Sequence, residues 1–414
     1  MLPDSTNTRW FRLNLWLHRW AGLLATLPFL VLCITGSLLV FHEEIDHALG
    51  VLPEGSSSGG PELPLSDVVS RVLAEHPGER VLSLGIDSQE HEGVLAVVTG
   101  PREAIDFEKA QLRYADLTTG APASGNPNES FTRFLLELHA QWFLGPIGEL
   151  LGALIALLVL VALFSGVVVY APYVRKFAFG LLRRGKSPRL VQLDLHNFLG
   201  AITLGWALVV TSTGFLLGFG SVLIGLWQVT ALGELRARTA HDEAVQLEHL
   251  TVGPDRAREV ASAAVPGWRV TSIIYPFTNY STQRHYTVLL AGQEGAEERL
   301  LRVAIVDAKT GALSSAPPVP SYIQAVALSE PLHFGDYGGL PLKILWTLCT
   351  WLTLFITGNG AWLWWDRRRL KRLSPATRGG EVSQGDFAAG ELSLDEPSRA
   401  LVFDAGSSTE ELPS

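Results

Sequence analysis

Four stretches of the chain are apolar over the length needed to cross a bilayer, approximately residues 20–41, 147–170, 199–227 and 342–365. About 20 residues at 1.5 Å each span roughly 30 Å of hydrocarbon, so each run predicts one membrane-crossing helix. The helices are placed at residues 17–41, 146–171, 196–228 and 341–365. Two long connections separate them in pairs, residues 42–145 and 229–340. In each, an alternating stretch ends in an Asp-x-x-Thr-Gly turn, at Asp116 to Gly120 and at Asp307 to Gly311, which predicts a strand closed by a hairpin turn.

Orientation follows from the basic residues. Arg9, Arg12 and Arg19 flank the start of the first run, Arg175, Lys176, Arg183, Arg184, Lys186 and Arg189 fill the link between the second and third, and Arg367 to Arg372 follow the fourth. Lys and Arg accumulate on the cytoplasmic side of membrane proteins, which predicts that residues 1–16, 172–195 and 366–414 are cytoplasmic and the two long connections lie outside. Trp16, Trp20, Trp142, Trp362 and Trp364 suit the two interfaces. The first run is longer than the apolar part of a signal peptide and no small-residue cleavage site follows it closely, so it is expected to stay as a helix. From about Ser374 the chain turns rich in Gly, Ser, Asp and Glu without periodicity, which predicts a disordered tail.

Composition sharpens this picture. Hydrophobic residues make up 47% of the chain while the net charge is −9, so the acidic excess is expected on the outer connections and the tail, and no nucleic-acid partner is suggested. Cys33 and Cys349 both fall inside apolar runs, where they read as small packing residues and not as a disulfide or a paired metal site.

The two halves repeat. Leu17-His18-x-x-x-Gly22 opens the first run and Leu195-His196-x-x-x-Gly200 the third, and each meets a Thr-Gly pair whose glycine lies 18 residues after the histidine, Thr35-Gly36 and Thr213-Gly214. Ser165-Gly166 and Thr357-Gly358 occupy comparable places in the second and fourth runs, each preceded on the outer side by Leu-His, at His139 and His333. Equivalents stand 191 (Asp116 to Asp307), 194 (His139 to His333) and 192 (Gly166 to Gly358) residues apart, but His18 and His196 are separated by 178, so the second copy carries a longer outer insertion. A unit of helix, outer α/β module and helix returns to its starting side, so two copies share one orientation about an axis along the membrane normal.

Four of the eleven histidines therefore form two symmetric pairs, His18 with His196 and His139 with His333. A lone histidine at an interface is ordinarily structural. Two helices presenting one imidazole each at equal depth are also the arrangement that clamps a haem, and Gly22 and Gly200, one turn further along the same faces, would let a macrocycle approach the backbone. Close helix packing is the other use of such glycines. His42 and His47, with Glu43, Glu44 and Asp46, read as a solvated helix end, and His76, His91, His241, His249 and His285 read as surface residues.

The motif Leu-His-Arg-Trp-Ala-Gly leading to Ile-Thr-Gly-Ser-Leu-Leu-Val-Phe-His-Glu-Glu-Ile-Asp resembles the PepSY-associated transmembrane family, as do Asp194 to Gly200 and Leu332 to Gly339. The resemblance covers about residues 10–370. It implies a membrane α-helical bundle of four helices carrying two periplasmic PepSY-like modules, at about 64–122 and 251–313, internally duplicated and with both termini inside. It also implies two b-type haems, with His18, His139, His196 and His333 as axial ligands, in a bacterial inner-membrane reductase of ferric siderophores or other periplasmic iron complexes. No Gly-x-Gly-x-x-Gly follows a strand, so a quinol or a separate cytoplasmic protein is the expected electron donor. A membrane-anchored binding or regulatory protein without redox activity is the main rival. Transport of the iron complex ranks behind it, because the runs carry almost no charge at mid-membrane.

Overall fold

The computed structural model describes residues 8–55, 60–86, 93–174, 179–183, 187–247, 250–293, 295–335 and 337–373. The tail, His91 and His249 lie outside the described residues. Four long helices dominate: α1 (Arg9–Leu39), α5 (Pro146–Val174), α6 (Pro188–Gly218) and α11 (Gly339–Leu373). All four are long and apolar enough to cross a membrane. α1 starts well before residue 17 and α11 runs past residue 365, because the flanking arginines are good helix formers and continue the turns into polar surroundings. The third apolar run is not one helix to residue 228: it breaks at Phe219, between Gly218 and Gly220, and resumes as α7 (Gly220–Val229) and then α8 (Ala231–Arg238). Two glycines beside one another's turn weaken the helix there. Among the described residues α2 (His42–Leu49) alone occupies the corresponding place after α1, and α7 and α8 account for the longer second insertion.

The chain divides into two compact units, residues 1–33, 158–208 and 349–414, and residues 34–157 and 209–348. The first consists of segments of the four long helices. The second holds the other segments and a seven-stranded antiparallel sheet. In it, the order helix, strand, strand, strand occurs twice: α3 (Leu65–Glu75), β1 (Glu79–Gly85), β2 (Val94–Pro101), β3 (Gln111–Asp116), then α9 (Pro254–Ala264), β4 (Trp268–Ile274), β5 (His285–Gly292), β6 (Leu301–Asp307) with a short β7 (Leu313–Ser315).

The two sets do not form separate sheets. The strand order is β3-β2-β1-β4-β5-β6-β7, joined where Ser83, Leu84 and Gly85 pair with Ile274, Ile273 and Ser272. α3 and α9 cover one face with a single core that includes Val68, Val72, Leu84, Ala257, Ala261, Ile273, Tyr286 and Val306. The period of two along β6 sends Ala304 and Val306 to that core and Val303 and Ile305 to a smaller one with Leu232 and Leu235 of α8. Pro64 before α3 has no side chain to cap with. Asp255 of α9 does so instead, its two carboxylate oxygens accepting from the backbone N–H of Leu65 at 2.6 Å and Ser66 at 3.0 Å.

Both Asp-x-x-Thr-Gly turns form as the sequence suggests. The Asp116 carboxylate accepts from the N–H of Thr118 and Thr119, that of Asp307 from Lys309 and Thr310, and Gly120 and Gly311 take positive φ of 68° and 70°.

Candidate functional site

In the first unit, His18 of α1 and His196 of α6 face each other with ring centres 6.2 Å apart and planes at 79°. Each ring rests on a glycine of a neighbouring helix. A Cβ added to Gly166 of α5 would come within 3.0 Å of the His18 ring, and one on Gly360 of α11 within 3.2 Å of the His196 ring. His18 Nδ1 donates to the Ala162 carbonyl at 2.7 Å, one turn before Gly166. A carbonyl only accepts, so the proton sits on Nδ1 and Nε2 keeps its lone pair. His196 meets the Ile356 carbonyl, one turn before Gly360, in a looser contact that falls short of hydrogen-bond geometry and leaves its Nδ1 without a partner. The start of α6 is fixed by Asp194, whose carboxylate accepts from the backbone and guanidinium of Arg183 at 2.5–3.0 Å. The Asn359 amide donates to the Gln192 carbonyl at 2.9 Å and sets Gly360 beside His196.

In the second unit the arrangement recurs. His139 and His333 stand with ring centres 6.2 Å apart, planes at 61°. His139 rests on Gly36 of α1 and His333 on Gly214 of α6, where an added Cβ would come within 3.0 and 2.9 Å. His139 Nδ1 hydrogen-bonds the Thr35 hydroxyl at 2.8 Å. His333 Nδ1 donates to the Val210 carbonyl at 2.9 Å and lies 3.2 Å from the Thr213 hydroxyl. Burial pushes the His333 imidazole below its usual pKa, which the Val210 carbonyl only partly opposes.

His333 sits in the last turn of α10 (Ser321–Phe334), which Gly335 closes with φ 70°. His139 is held differently: α4 (Phe131–Leu136) passes into a π-helical turn (Glu137–Gln141) that ends in Trp142 and Phe143, both at positive φ (52° and 56°). Two bulky residues in the left-handed region carry strain, about 1–2 kcal/mol each.

All four histidines singled out in the sequence are thus brought together in the two expected pairs. The glycines on which the rings rest were not singled out in the sequence as histidine seats. Gly36, Gly166 and Gly214 each carry a histidine, and the fourth seat is Gly360; nothing lies within 4 Å of a Cβ added to Gly358. Gly360 stands 194 residues after Gly166, the same offset as His139 to His333. Gly22 and Gly200 also have nothing within 4 Å of an added Cβ, so space is open one turn beyond His18 and His196.

Other expectations change. His285 is not a surface residue: it is 3% exposed at the start of β5, with Nδ1 2.8 Å from the Thr282 hydroxyl. The cluster after α1 is only partly solvated, with Glu44 and His47 exposed. Asp46 is 5% exposed and accepts from the Thr132 hydroxyl, while Glu43 and Glu44 hold Lys343 of α11 at 3.0 and 2.9 Å. A cleft of about 600 Å³ runs along the edge strand β3, lined by Tyr114, Asn128, Arg133 and Glu137 among others, and Glu137 begins the turn that carries His139.

The ring spacing can be compared with that of two imidazoles on one metal ion. Two imidazoles bound to one iron from opposite sides, each with a metal–nitrogen bond of about 2.0 Å and a ring centre about 1.2 Å behind the nitrogen, stand roughly 6.4 Å apart. Both pairs are at 6.2 Å. Among the described residues no three His, Cys, Asp or Glu gather at one point. Further ligands to an iron between either pair would come from a macrocycle, and the open faces at Gly22 and Gly200 leave room for one beside the first pair.

Residues 15–367 match the family described as the PepSY-associated TM region. No curated protein matches the chain.

Proposed function

The chain belongs to the PepSY-associated TM family, a multi-pass membrane protein, and from that premise we propose that it carries electrons across the bacterial inner membrane through two b-type haems to a periplasmic ferric complex, a ferric siderophore being the expected acceptor. The observation that carries this reading is the repeated pair: two imidazoles at 6.2 Å, each ring seated on a glycine, occurring once in each unit. His18 and His196 would hold the haem on the cytoplasmic side, with Gly22 and Gly200 giving it space, and His139 and His333 the one on the outer side. Held by two histidines each, the haems would supply one-electron transfer and not oxygen chemistry. The protein's part is to seat each ring on a glycine and to hold His18, His139 and His333 by Nδ1.

In this reading the duplicated halves share one orientation, the basic segments face the cytoplasm, and the sheet, built of two PepSY-like modules, lies outside where the acceptor docks. A quinol or a cytoplasmic protein delivers the electrons. The polar cleft along β3 favours a second reading, a membrane-anchored binding protein that uses this cleft and has no redox role.

One measurement separates the two. The purified protein, expressed with haem supply, is expected to show a b-type spectrum that sharpens on dithionite reduction and to contain two extractable haems per chain. A colourless preparation would overturn the electron-transfer reading in favour of the binding protein.

A further inference from the structure

We propose that the chain makes His139 and His333 stronger electron donors than His18 and His196, so that iron held by the second-unit pair has the lower reduction potential; this rests on the haem reading above. An imidazole that ligates through Nε2 keeps its proton on Nδ1. The better the acceptor facing that proton, the more imidazolate character the ring takes and the more the ferric state is favoured.

The two pairs differ in what faces Nδ1. In the second unit both rings are anchored: His139 to the Thr35 hydroxyl at 2.8 Å, and His333 to the Val210 carbonyl at 2.9 Å with the Thr213 hydroxyl at 3.2 Å. Thr213 directs its own O–H to the Val209 and Val210 carbonyls at 2.8 and 3.0 Å, so towards His333 its oxygen accepts. In the first unit His18 is anchored to Ala162, while His196 Nδ1 has only a looser contact with the Ile356 carbonyl that does not reach hydrogen-bond geometry. The glycine seats are alike in all four places, and so are the ring separations. Of the features compared, the contacts at Nδ1 are the ones that differ.

The consequence is directional. The more reducing site belongs to the unit that carries the sheet, at the end where the acceptor docks in the proposed orientation. Each ferric ion reduced there takes one electron, delivered one at a time from the donor, and no bond in the protein is made or broken. A strongly reducing exit suits an acceptor that is hard to reduce, Fe(III) held by many oxygen donors.

Potentiometric titration of the full-length protein, followed optically, tests this. Two one-electron waves are expected, assigned by the wave that each of His196→Ala and His139→Ala removes, and the wave lost in His139→Ala should be the lower. Thr35→Val should raise that wave alone, and Thr35→Ser, which keeps the hydroxyl, should leave it in place. Thr213→Val gives a second reading of the same site and should also raise the lower wave. Equal waves, the reverse order, or a lower wave that neither valine variant moves would overturn the proposal while leaving the haem reading standing; absence of haem would overturn both.

Discussion

An imidazole seated on a glycine must shift to admit a methyl group between ring and helix, so the seat is a sharper test of each histidine's role than its exposure. A Cβ at Gly360 would stand 3.2 Å from the His196 ring, whereas nothing lies within 4 Å of one at Gly358. Gly360→Val should therefore displace His196 and cut bound haem from two to one per chain, as His196→Ala should, while Gly358→Ala leaves haem content unchanged. Pyridine haemochrome assays on the purified variants read this directly, and loss of haem from Gly358→Ala would show that the neighbouring residue is the one that matters. The histidines themselves were legible because Leu-His recurs at matching points in both halves. The glycine seats were not. The repeated hydroxyl-Gly pairs do not say what rests on them, and only the packing of α6 against α11, with Asn359 on Gln192, puts Gly360 beside His196. His285 was misread for a similar reason: the groups that make its burial tolerable, Thr282 and its strand partner Asp307, come together only in the folded sheet.

Helices and strands differ in how much of them the chain announces. The four apolar runs gave four helices because a bilayer demands length and hydrophobicity that nothing else in the chain shares. The single sheet was silent, since the β1–β4 junction joins strands about 190 residues apart through three registered pairs and leaves no local pattern. What holds that junction includes Asp255 capping α3 from α9. Asp255→Ala should cost about 1 kcal/mol, read as a lower melting temperature and faster hydrogen exchange at Leu65 and Ser66. An unchanged melting temperature and unchanged exchange there would remove the cap from the account. Asp307 closes the second hairpin. Burial alone would raise its carboxyl pKa, but the hydrogen bonds from Arg284 and from the N–H of Lys309 and Thr310 outweigh burial and hold it below its usual value. A carboxyl depressed in the folded state stabilises above its unfolded pKa, about 3.9, and that stabilisation disappears as pH falls through the folded value. Asp307→Asn should thus lose about 1.5–3 kcal/mol near pH 7, the range for a charge-assisted hydrogen bond in a mostly buried pair. The gap between the two proteins should shrink below about pH 4. Denaturant titrations at a series of pH values check it; a gap independent of pH would mean that charge is not what Asp307 contributes.

The proposed path for electrons needs both histidine pairs and a fixed orientation. Reporter fusions at the amino terminus, near Lys186 and in the tail should read cytoplasm, and those near Ser57 and Gly295 should read periplasm; a periplasmic signal near Lys186 would overturn the orientation. Given that orientation, the histidine pairs act in series, and a series fails at either member. In vesicles with the sheet facing outward and a donor enclosed, both His196→Ala and His333→Ala should lose reduction of an external ferric complex, followed as Fe(II) by a chelator, although each keeps one haem. The double variant should be no worse than either single one, because a broken series cannot be broken twice. A chemical reductant added outside separates the members: it should restore reduction through the remaining outer site of His196→Ala, but not through that of His333→Ala. Full activity of His196→Ala with only the enclosed donor would mean that electrons do not pass through the first pair, and the four histidines would then have to be explained as helix-packing residues of a binding protein.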